Sequence, residues 1–111
     1  ITAQTENTDT SLQAPTLSAT AGGDGIALSW TQNSESNFRY YKVVRSRTNS
    51  NPTYPEDGYI AVKNRTETAY IDTEVCCSSS GTYYYRVCAV NSSGSVYCGN
   101  VITVMDGAVQ E

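Results

Sequence analysis

Histidine is missing from this chain of 111 residues, and Met, Trp and Phe occur once each. Without an imidazole, Ser–His–Asp and Cys–His nucleophile arrangements are excluded. Only 16% of the residues are charged, 11 acidic against 7 basic, for a net charge of −4. That balance repels a phosphate backbone, so no nucleic-acid partner is expected. No apolar run approaches the roughly 20 residues of a membrane-spanning helix, and no window holds the i, i+3, i+4, i+7 spacing of an amphipathic one. P-loop, dinucleotide and EF-hand patterns are lacking too. The neighbouring Glu56 and Asp57 sit in a Pro-rich turn, where carboxylates are solvated rather than paired across a cleft. The expectation is a non-catalytic protein with no cofactor and no metal.

What the chain does hold is strand chemistry. Ten Val and nine Tyr stand against three Leu, and Thr is abundant. Gly25-Ile26-Ala27-Leu28-Ser29-Trp30 and the run from Gly81 to Asn91 alternate apolar and polar residues with a period of two. Further strands are expected from Pro15 to Thr20, Phe38 to Arg47, Tyr59 to Lys63, Thr68 to Asp72 and Val96 to Met105, with turn residues between them. About seven short strands with regular turns fit one all-β, antiparallel, Ig-like sandwich. A chain of this length supports one domain. Residues 14–105 are assigned to it, with 1–13 an extended N-terminal tail and 106–111 a C-terminal tail.

Four cysteines in so short a chain point to an oxidising, extracellular compartment. Cys88 and Cys98 lie five residues either side of Ser93. A hairpin tightening at Ser92-Ser93-Gly94 sets them opposite each other, within reach of a disulfide. Cys76 and Cys77 are too far along the strand to reach Cys88, which leaves a vicinal bond, free thiols or a bond to another chain. Adjacent cysteines lack the spacer of a zinc site. Two sequons, Asn64-Arg65-Thr66 and Asn91-Ser92-Ser93, make Asn64 and Asn91 glycosylation candidates.

Several of these residues together resemble a fibronectin type III domain of the bacterial or archaeal cell-surface kind, from Ala14 to Met105. They are Pro15 opening the first strand, Trp30 closing the second, Tyr40-Tyr41-Lys42-Val43-Val44-Arg45 in the third, Gly81-Thr82-Tyr83 at a corner, and Arg86-Val87-Cys88-Ala89-Val90-Asn91 with Gly94. The resemblance implies a seven-stranded, two-sheet sandwich serving as an extracellular spacer or adhesion module. It places Tyr83 as a corner tyrosine whose hydroxyl bonds the preceding loop. The chain departs from the family in its cysteines. It also has Asn91-Ser92-Ser93-Gly94-Ser95 where adhesive members carry Arg-Gly-Asp, so integrin binding gets no support.

Counting back by twos from Ala89 turns Trp30, Tyr41, Val43, Tyr83, Tyr85, Val87 and Ala89 inward. Tyr40, Lys42, Val44, Tyr84, Arg86 and Cys88 then share the outward face. Tyr beside a cation is common at binding surfaces, so Tyr40, Lys42, Tyr84 and Arg86 form the candidate interaction face; the plainer reading is a solvated sheet with cation–π pairs.

Two functions follow. In the first, the protein is a structural subunit that assembles with its own copies or with other surface proteins into a filament. Ile1, Ala3 and Leu12 of the polar tail would then complete a neighbour's sheet edge. In the second it is a spacer, or a carbohydrate- or protein-binding module, of a larger secreted enzyme or adhesin, with a polysaccharide as the partner.

Overall fold

A computed structural model describes residues 12–75 and 80–110. Among them every regular element is a strand, in the order β1 (Leu17–Gly22), β2 (Gly25–Trp30), β3 (Phe38–Ser46), β4 (Ala61–Lys63), β5 (Ala69–Asp72), β6 (Thr82–Asn91), β7 (Val96–Cys98), β8 (Ile102–Met105) and β9 (Ala108–Val109). All pairings are antiparallel. One sheet runs β1-β2-β5; the other runs β4-β3-β6-β8-β9, with β7 also on β6.

Period-two patterning explains how the sheets meet. On β2, Ile26, Leu28 and Trp30 are buried while Ala27 and Ser29 face water. Tyr41 and Val43 of β3, Tyr85, Val87 and Ala89 of β6, and Val104 of β8 close on them in one core shared by both sheets. Trp30 meets Tyr41 edge-on, ring centroids 5.7 Å apart, and its Nε1 finds no acceptor among the described residues. Tyr83 is only partly buried, packed against the edge of this core, and the loop its hydroxyl was expected to reach lies mostly outside the described residues.

Among the described residues nine strands stand where seven were expected, for two local reasons. The expected run from Val96 to Met105 is broken. Cys98 pairs with Cys88, yet Ile102 pairs with Tyr85, so one extra residue intervenes between β7 and β8. Gly99 lies at that bulge, where a Cβ would overlap the Pro15 carbonyl. Next to it, Asn100 uses its side chain as a surrogate strand. Oδ1 accepts from Leu17 N (2.7 Å) and Nδ2 donates to Leu17 O (3.0 Å), tying β1 to the other sheet.

The second reason is Asp106-Gly107. Both residues have positive φ, 51° and 83°, and Met105 pairs with Ala108 across them. This is a two-residue type I′ hairpin, for which Asp-Gly is a favoured pair. The residues expected to begin a C-terminal tail therefore turn back as β9.

At the other end the domain starts earlier than expected. Leu12 is a member of the chain's own core, 5% exposed. The Gln13 amide donates to both carboxylate oxygens of Glu35 (3.1 and 3.2 Å). Leu12 was expected to seat on a neighbouring copy; it is spent inside its own domain, as a member of the core that Trp30, Tyr41 and Tyr85 also build. Ile1 and Ala3 lie outside the described residues.

Candidate interaction surface

The outward face of β3 and β6 differs most from expectation. Tyr40, Lys42, Val44 and Tyr84, Arg86, Cys88 do share it, since Lys42 pairs with Cys88, Val44 with Arg86 and Ser46 with Tyr84. It is not open to solvent. Val44 and Cys88 are fully buried and Lys42 is only 6% exposed. The chain from 47 to 60 folds back over it as a strap. Covering Val44 alone contributes roughly 1.5–3 kcal/mol relative to leaving it in water.

Polar bonds fix the strap at both ends and in the middle. Ser46 Oγ accepts from the Thr48 and Asn49 amides (3.2 and 3.0 Å). Asp57 Oδ2 accepts from Asn49 Nδ2 and from the Thr53 amide, both at 2.9 Å. Arg86, expected to meet a partner, is turned inward: Nη1 donates to the carbonyl of buried Pro52 (3.1 Å) and to Asn51 Oδ1 (3.3 Å), while Nε donates to Gly99 O (2.6 Å). Tyr84 is half-buried at the rim.

Lys42 fills an aromatic cage. Its Nζ lies 3.6 Å from the Tyr59 ring centroid, 4.9 Å from that of Tyr54 and 5.0 Å from that of Tyr40. Tyr54 meets Tyr59 nearly edge-on at 5.8 Å, and Tyr59 remains 51% exposed. Three ring faces take the place of water around the ammonium. Tyr54 and Tyr59 were not anticipated as site residues. Their signal was an unusually long Pro- and Tyr-bearing connection, which needs something to cover.

A second polar cluster joins the two sheets. Asp72 of β5 is buried, and its Oδ2 accepts from the Tyr85 hydroxyl (2.6 Å) and from Arg45 Nη1 (2.7 Å). The Glu74 amide donates to Oδ1 (3.1 Å). Burial pushes the Tyr85 phenol far above its ordinary range, and the bond to Asp72 adds to this. For Arg45 burial works to lower the pKa, and the bonds and charge of Asp72 and Glu74 outweigh it, leaving it raised. The bonds among these groups tie β5 to β3 and β6 across the interior. Among the described residues no group of three His, Cys, Asp or Glu side chains could hold a metal.

Cys88 and Cys98 are joined by a disulfide. Gly99 N bonds Val87 O, and Asn91 N bonds Ser95 O. Alternation along the ladder then makes Cys88 and Cys98 a non-hydrogen-bonded pair, where opposed strands approach most closely. The bond fits an oxidising compartment. Cys76 and Cys77 lie outside the described residues.

The two sequons part company. Asn64 is exposed just past β4. Asn91 is 1% exposed, and its Oδ1 accepts from the Ser93 and Ser95 amides (3.0 and 2.9 Å). It serves the β6–β7 turn and has no room for a glycan, which corrects its place among the glycosylation candidates.

No protein-family model matches the chain, and no curated protein matches it. Solved structures do share its fold. A pectate lyase, PelI, from Erwinia chrysanthemi is 24% identical with a TM-score of 0.63, over 82% of this chain and 27% of that one. A pectate lyase from Pectobacterium carotovorum is 22% identical (TM-score 0.61; 82% and 26%). The spore cortex lytic enzyme SleM of Clostridium perfringens is 21% identical (TM-score 0.62; 86% and 28%). The chain thus spans about a quarter of the length of each.

Proposed function

We propose that this chain is a non-catalytic accessory module of the fibronectin type III kind, part of a larger secreted, polysaccharide-degrading protein. One observation carries the reading. The fold covers more than four-fifths of this chain but only 27% of a pectate lyase and 28% of a spore cortex lytic enzyme. A unit that recurs as a fraction of enzymes with differently named activities is expected to supply spacing or attachment rather than the reaction. The absence of His from the sequence agrees with that role. So does a disulfide suited to the cell exterior.

The self-assembling subunit is the weaker reading, since Leu12, one of its three anchors, is used within the domain's own core. Intact-mass measurement on the protein from its natural source tests the choice. A mass well above the 12.0 kDa of this chain is expected. A mature product of 12.0 kDa that forms filaments would overturn the module reading.

A further inference from the structure

We propose that the surface formed by Arg39, Tyr40, Lys42, Tyr54 and Tyr59 binds a segment of acidic polysaccharide, a run of uronic-acid sugars. The proposal deepens the module reading and rests on it for the class of polymer, but its own evidence is the geometry of the strap.

An exposed ring is a useful sugar platform when it is held still, because the cost of ordering it has been met in advance. Tyr59 is such a ring. It is 51% exposed, yet Lys42 Nζ sits 3.6 Å from its centroid and Tyr54 braces it at 5.8 Å with an interplanar angle of 71°. Pyranose rings present flat C–H faces that stack on such aromatic faces.

The charge of the cluster selects the kind of sugar. Register in β3 shifts between Phe38 and Tyr40, and such a bulge re-aims the side chain at its extra residue. Here Arg39, an exposed residue, has its guanidinium carbon 5.2 Å from the Tyr40 centroid. Two cations therefore flank one ring. Both ion pairs among the described residues belong to Arg45, so neither Arg39 nor Lys42 is neutralised by a carboxylate there. Lys42 is more than nine-tenths buried; π faces stabilise its ammonium but leave its charge uncompensated. A carboxylated sugar stacked over Tyr59 meets the Lys42 field, and the carboxylate of another sugar along the same segment can pair in bidentate fashion with the exposed Arg39 fork beside Tyr40. A neutral sugar gains only the stacking. The net charge of −4 opposes a polyanion at long range, so attraction is local and confined to this cluster.

Calorimetric titration of the 111-residue protein at low salt tests the proposal, with tetragalacturonate, cellotetraose and a tetraglutamate peptide as probes. Tetragalacturonate is expected to bind, with cellotetraose and the peptide each at least about tenfold weaker. Arg39→Gln alters an exposed position and should unfold at the wild-type temperature, Tyr59→Ala opens the Lys42 cage and should unfold at a lower temperature while still folding cooperatively, and each should weaken tetragalacturonate roughly tenfold. Lack of binding by tetragalacturonate, equal binding of either control, or undiminished binding by both variants overturns the site. An intact mass of 12.0 kDa with tetragalacturonate binding retained would remove the module reading alone.

Discussion

Tyr85 and Asp72 stand in different sheets, and the phenol donates to the carboxylate across the interior at 2.6 Å. Burial, reinforced by this bond, keeps the proton on Tyr85 in the folded protein well past the pH at which a free tyrosine, with a pKa near 10, would lose it. Because the folded pKa is the higher one, the stability it contributes is complete below the unfolded value and declines above it. Denaturant unfolding should therefore show stability falling above about pH 10, with Tyr85 contributing up to roughly 1.4 kcal/mol per pH unit. Tyr85→Phe should be less stable at neutral pH and lose stability less steeply in alkali. Parallel slopes for the two proteins would count against this role.

Gly99 gives a steric test. Ala there must displace the Pro15 carbonyl, whereas a Cβ at Gly23 meets nothing within 4 Å. Gly99→Ala is expected to cost about 1–3 kcal/mol, the range for overpacking, and Gly23→Ala less than about 0.5 kcal/mol. Thermal unfolding of both variants decides it. Equal midpoints would show that the β7–β8 bulge yields freely.

Sequon use follows exposure. Produced in a glycosylating host, the protein should carry a glycan at Asn64 and none at Asn91, whose side chain holds the β6–β7 turn. Peptide mass mapping checks this directly, and occupancy at Asn91 would contradict its burial.

Removal of residues 1–11 separates the two readings of the N-terminal segment while sparing the core residue Leu12. The truncated and full-length proteins are expected to sediment alike as monomers. A full-length filament that dissolves on truncation would restore the assembly reading.

Much of this was open to sequence reasoning where one period governed a segment. The inward set of β2, β3 and β6 follows from counting by twos, and the Cys88–Cys98 opposition from their equal spacing about Ser93. The same parity carried an unused clue. It turns Arg45 toward the core, and an inward charge requires a partner of opposite charge, which the structure shows to be Asp72. Asp106-Gly107 was equally readable as a two-residue hairpin. The strap was not. Its cover of Lys42 and Val44 depends on side chains far apart in sequence, and period two cannot tell an outward face in water from one beneath a loop. The slip in register at Gly99 was likewise invisible, since it brings that glycine against the Pro15 carbonyl, just before β1 and far away in sequence.

The two bonds from Asn100 to Leu17 have a mechanical consequence. Residues 83 positions apart are clasped between opposite sheets, close to the two ends of the described chain. Tension applied through those ends would reach this clasp early and load both bonds together, so they would act as a breakpoint that must fail before β1 peels away. In single-molecule pulling from the termini, Asn100→Ala should unfold at lower force than the wild type, and an unchanged force would place the breakpoint elsewhere.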